Sequence, residues 1–70
     1  MLAVFRSRTE TLSFATLLNS YGVYCSVINT PRQINVACGI SVKFSKKDEL
    51  IARSILSRRR FDTFAGFYNI

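Results

Sequence analysis

A chain of 70 residues with ten Lys and Arg against four Asp and Glu, a formal net charge of +6, suits one small domain over residues 1–70 that attracts polyanions and acidic surfaces. Hydrophobic residues make up 49% of it, with six Phe and three Tyr, which argues against intrinsic disorder and for a packed core. Two Cys and no His exclude a disulfide framework, a four-ligand zinc set and His-based catalysis, and point to a reducing, cytoplasmic setting.

Leu2-Ala3-Val4-Phe5 opens the chain with an apolar run on both faces, the pattern of a central strand. Such runs fall far below the ~20 residues that cross a bilayer, and no basic segment followed by a long apolar core marks an export signal, so no membrane partner is expected. Ser7-Arg8-Thr9-Glu10 matches the capping box, in which the Ser7 hydroxyl and the Glu10 carboxylate each satisfy a backbone amide at a helix start. Thr11, Phe14, Ala15, Leu18 and Tyr21 then recur at spacings of three and four. They predict one buried stripe on a helix from about Arg8 to Ser20, ended by Gly22 in a left-handed conformation.

Val23 to Asn29 is rich in β-branched and aromatic residues and predicts a second strand that stops at Thr30-Pro31, with Asn29 and Thr30 suited to a turn. Pro31 to Ala37 reads as a partly extended loop, although Ile34, Val36 and Cys38 alternate and could extend the next strand backward through a bulge at Gly39. Ile40, Val42 and Phe44 alternate with Ser41, Lys43 and Ser45, predicting a third strand with one apolar and one solvent-facing side. Ser45-Lys46-Lys47-Asp48 is a second capping-box pattern, with Asp in place of Glu. It precedes a helical stripe of Ile51, Ala52, Ile55 and Leu56 that ends near Arg58 to Arg60. Asp62 suits the next turn, and Thr63 to Tyr68 predicts a last strand kinked by Gly66. The order is the α+β, ferredoxin-like βαββαβ pattern: a four-stranded antiparallel sheet with two helices on one face and the other face open to a ligand, a partner or a second copy.

Cys38 is the position where this chain can place reactive chemistry. It precedes Gly39, whose free backbone lets a partner group come close, and Arg32 or nearby amides could favour its thiolate. The alternative is a small hydrophobe packed at a strand start. Arg32 is correspondingly either an anion stabiliser or a solvated loop charge. Cys25, among apolar strand residues, reads as core packing, with resolution of an oxidised Cys38 as its other reading. A hairpin between them places the two thiols at opposite ends, which argues against a bond. Arg58-Arg59-Arg60 complements the dipole at a helix end, or forms a phosphate-contacting patch with Tyr24, Phe44, Phe67 and Tyr68 as stacking residues. Phe64-Ala65-Gly66-Phe67-Tyr68 lacks the leading basic residue of the RNA-recognition consensus. No Gly-x-Ser-x-Gly elbow and no Gly-rich phosphate cradle is present, which excludes the common hydrolase and nucleotide-enzyme classes. No cofactor and no metal are expected. The carboxylates of Glu10, Asp48 and Glu49 are assigned to helix starts.

Asn29-Thr30-Pro31-Arg32, Cys38-Gly39-Ile40-Ser41-Val42-Lys43-Phe44 and Gly66-Phe67-Tyr68, taken together, give a chain that resembles the Se/S carrier-like protein family over nearly its whole length. The most specific part is Thr-Pro-Arg followed by Cys-Gly before an alternating strand. The resemblance implies a small carrier-like domain rather than an enzyme, sometimes found beside sulfurtransferase-type modules, with Cys38 as the attachment point for sulfur or selenium. The Cys-Pro-x-Pro motif of another class of sulfur carriers is absent from this sequence. On this reading the partners are a cysteine desulfurase or selenide donor and an acceptor protein, with Arg32 and the amides around Gly39 holding the terminal anion. Two other readings stand beside it: a basic nucleic-acid-binding or protein-interaction module with a structural Cys38, and a homodimer joined through the open sheet face or an edge strand.

Overall fold

All four residues of strand β1 (Leu2–Phe5) are fully buried, because apolar side chains on both sides of a strand need cover on both faces. The computed structural model describes residues 1–34 and 38–69. The expected alternation at Val36 and the loop end at Ala37 lie outside the described residues. After β1 come helix α1 (Arg8–Ser20), strands β2 (Cys25–Asn29) and β3 (Ile40–Phe44), helix α2 (Glu49–Arg58) and strand β4 (Phe64–Tyr68). The sheet order is β2-β3-β1-β4 with antiparallel neighbours, so the α+β ferredoxin-like arrangement is the fold.

Element boundaries follow from where backbone amides are used. Gly22, at φ 79°, ends α1 in a Schellman closure: its amide donates to Asn19 O and that of Val23 to Leu18 O, both at 3.0 Å. The Val23 amide is thereby taken by the helix, and β2 begins at Cys25 rather than Val23. Thr11, Phe14, Ala15 and Leu18 form the buried stripe of α1, whereas Tyr21, just past the helix, is exposed. The second capping box is not formed. Ser45 Oγ accepts from the Lys47 amide at 3.4 Å and opens a 3₁₀ turn over Lys46–Asp48; the Asp48 side chain caps nothing, and α2 starts at Glu49. In β4 the partners Val4–Gly66 and Phe5–Phe64 leave Ala65 as the extra residue of a bulge.

The main core lies between sheet and helices. Ala3, Phe5, Val42 and Phe44 meet Phe14 and Leu18 of α1 and Ala52 and Ile55 of α2. Phe5 is the hub of an aromatic cluster, with ring centroids of Phe14, Phe61 and Phe64 at 5.2, 5.4 and 5.3 Å. The opposite face is not left open. Leu2 and Val4 are 0% exposed there, covered by Ile34 from the β2–β3 connection together with Ile28, Ala65 and Tyr68. Ser41, on the side of β3 expected to be wet, is also fully buried, its hydroxyl 2.6 Å from that of Thr30. The reason is the all-apolar β1: leaving its second face in water would forgo about 1.5–3 kcal/mol for each of Leu2 and Val4. A strip toward the β2 edge remains a groove, lined by Tyr24, Ser26, Lys43, Phe44 and Ser45. Among the described residues no helix is long and apolar enough to cross a membrane.

Candidate functional site

Cys38 lies where β1 ends, α1 begins and the β2–β3 connection returns to the sheet. The Thr30 amide donates to Gly39 O at 3.0 Å, closing that connection, and Gly39 sits at φ 105°. Among the described residues a Cβ at position 39 would meet nothing within 4 Å, so the demand for glycine there comes from its positive φ. The Cys38 amide donates to Phe5 O at 3.4 Å, which pins the residue against the end of β1. Its thiol is half-buried. Sγ is 3.7 Å from Thr11 Oγ1 and 3.8 Å from Ile40 O.

Thr11 belongs to the first turn of α1 and is 0% exposed. Its hydroxyl donates to Ser7 O at 2.9 Å, and the same carbonyl accepts the Thr11 amide at 3.0 Å. With that proton committed, the neutral Cys38 thiol donates to Thr11 Oγ1 or to Ile40 O. Were the sulfur to carry a negative charge, the Thr11 hydroxyl could rotate and donate to it while Ser7 O kept the amide, leaving no buried group unpaired. In the sequence, helical spacing marks Thr11 only as part of the buried stripe. The available signal was a hydroxyl on an otherwise apolar helix face, because a buried hydroxyl requires a partner.

Arg32 is exposed, in a turn closed by the Ile34 amide donating to Pro31 O at 3.0 Å. Among the described residues no hydrogen bond or ion pair joins it to Cys38; the nearest polar side-chain partner of the thiol is Thr11. Cys25 is at the far end of the hairpin, where it pairs with Phe44 while Asn29 pairs with Ile40. Four strand residues, about 14 Å, separate those two ends, well beyond disulfide reach, and both thiols are free. Cys25 Sγ is 3.5 Å from both Ala15 O and Asn19 Oδ1, and burial pushes its pKa up.

The other flank of the α1 start is tied down by Glu10. The predicted capping box is half-formed: Ser7 Oγ accepts the Glu10 amide at 3.3 Å, but the Glu10 carboxylate does not return to the Ser7 amide. It accepts instead from the Thr63 hydroxyl at 2.6 Å, the Thr63 amide at 2.9 Å and the Asp62 amide at 3.1 Å. Thr63 Oγ1 in turn accepts the Ser7 amide at 3.1 Å, so a hydroxyl is inserted into the box. The hydrogen bonds from Thr63, its side chain first, hold the Glu10 pKa below the usual carboxylate value. Of the four aromatic residues read as stacking candidates, Phe44 and Phe67 face the helices, Tyr68 covers Leu2 and Val4, and Tyr24 alone is exposed, at 86%. Among the described residues no three of His, Cys, Asp and Glu come together as metal ligands.

No curated protein and no solved structure matches the chain. The family described as "Putative Se/S carrier protein-like" matches residues 1–68, a span that includes every strand and both helices as well as Cys38. The chain therefore belongs to the Se/S carrier protein-like family.

Proposed function

We propose that the protein carries sulfur or selenium at zero oxidation state on Cys38, taking it from a donor protein and handing it to an acceptor. The Cys38 thiolate attacks the terminal sulfur of a donor persulfide. The Sγ–S bond forms as the donor's S–S bond breaks, and the donor leaves as a thiolate with that electron pair. The proton lost from Cys38 passes to solvent, and nothing is oxidised or reduced overall. An acceptor thiolate discharges the persulfide by the same exchange, and a donor selenosulfide would load selenium in the same way.

The observation that carries this reading is the seat of the sulfur. It is half-buried rather than sealed, it faces a buried hydroxyl able to donate or accept, and it lies against the positive end of a 13-residue helix. Thr11 holds the terminal anion by rotation of its hydroxyl, Gly39 sets the backbone that presents it, and Arg32 draws the anion from the exposed turn without touching the resting thiol. The test is incubation with a cysteine desulfurase and cysteine, then alkylation and peptide mapping by mass spectrometry. An extra sulfur on the Cys38 peptide of wild type and of Cys25→Ser is expected. Its absence, or an equal adduct on Cys38→Ser, would overturn the proposal.

A further inference from the structure

Six of the seven arginines in the sequence lie on segments that meet at one end of the molecule, and they are exposed. Arg6 follows β1, Arg8 opens α1, and Arg58 to Arg60 close α2 and lead to β4, while the connection that carries Arg32 leaves and rejoins the sheet at the same end. Hydrogen bonds fix that convergence: the Arg6 amide to Thr63 O at 2.9 Å, the Asp62 amide to the Glu10 carboxylate at 3.1 Å, and the Cys38 amide to Phe5 O at 3.4 Å. The seventh, Arg53, is occupied on α2 by Glu49 at 2.8 Å and by the ring of Phe67. Lys43, opposite Leu2, and Lys46 and Lys47 beyond β3 lie at the other end.

The acids at the arginine end do not balance it. Glu10 is spent on the Asp62 and Thr63 donors, and Asp62 pairs with Arg60 at 3.0 Å. Among the described residues Arg6, Arg8, Arg32, Arg58 and Arg59 make no ion pair. Concentrating like charge works against the compact state, and folding alone does not require it here. Arg59 also borders a groove of about 480 Å³ on the outer side of α1, lined by Thr9, Leu12, Ser13, Thr16 and Leu17, without a carboxylate.

We infer that this arginine-rich end, with Cys38 in it, is the docking surface for an acidic protein partner. The inference rests on the carrier reading for its biological sense and on the charge layout for its physics. Guanidinium forks pair with carboxylates in bidentate fashion, and the exposed Leu12 in the groove supplies apolar contact beside them. Single-stranded nucleic acid fits less well. The exposed aromatics Tyr21 and Tyr24 follow the C-terminal end of α1, and Phe61 packs inward against Phe5 and Phe14, so bases find no stacking platform beside the arginines. A second copy would bring the same sign of charge to the same place.

The test uses fluorescent poly-L-glutamate as the probe and single-stranded RNA of matched charge as competitor. Two variants lose equal charge: Arg6→Gln/Arg8→Gln/Arg59→Gln and Lys43→Gln/Lys46→Gln/Lys47→Gln. The arginine variant should bind polyglutamate about tenfold more weakly and the lysine variant at most about twofold. Bound polyglutamate should slow alkylation of Cys38 but not of Cys25. Equal losses in the two variants, unprotected Cys38, or preference for RNA would overturn the inference. None of these readouts requires sulfur uptake, so a failure of the carrier reading and a failure of the docking surface register separately.

Discussion

Thr11 is the residue on which the proposed chemistry of Cys38 turns. Among the described residues its hydroxyl is the polar side-chain group in contact with the thiol, and in the resting protein its proton belongs to Ser7 O. Thr11→Val keeps the branched shape in a fully buried position and removes only that hydroxyl. It should slow iodoacetamide alkylation of Cys38 roughly tenfold, the worth of one hydrogen bond to a charged group, with Cys25 as internal control and Thr11→Ser restoring the rate. An unchanged rate would show that the thiolate draws nothing from Thr11. Gly39→Ala should cost about 1–2 kcal/mol in urea unfolding, since an L residue at φ 105° is strained even with open space around it. Cys38 and Gly39 were legible in the sequence because a thiol before a glycine is a local signal. Thr11 was not, because 27 residues separate it from Cys38 and helical spacing marks a face without saying what returns to lie on it.

The α1 start shows how an element can be read correctly with its fastening misassigned. Ser7 caps the helix as its type and position dictate, yet Glu10 is drawn away by Thr63, 53 residues further on. Two amides and a hydroxyl outbid one amide, and no local pattern announces donors that distant. The Glu10 pKa is lowered by folding, so its contribution is complete above the unfolded carboxylate value and is lost as pH falls through the folded one. Urea midpoints of the wild type should therefore fall more steeply on acidification than those of Glu10→Gln, and parallel profiles would contradict the assignment. The start of α2 teaches the same lesson more simply: Asp48 is one carbon shorter than the Glu of a capping box, and the chain makes a 3₁₀ turn there.

At the level of the whole molecule, strand order and helix placement were legible because hydrophobic period and turn residues agree in every segment. The covered second face was not read, although Leu2-Ala3-Val4-Phe5 implied it: a strand apolar on both sides demands a roof, and among the described residues of the connection Ile34 supplies one. Ile34→Ala should cost about 2 kcal/mol, the low end for a core aliphatic, because the cluster it joins is small; a loss below about 0.5 kcal/mol in urea unfolding would mean that the connection does not hold this face. The same connection carries Cys38, so its seating links the roof to the proposed carrier site. Transfer by the intact protein tests that site most directly: load it with a cysteine desulfurase and cysteine, remove the donor, add glutathione, and follow the intact mass. The account predicts one extra sulfur on wild type, lost as glutathione persulfide appears, and none on Cys38→Ser. A protein that never gains the sulfur, or a Cys38→Ser variant that gains and releases it equally well, would contradict it.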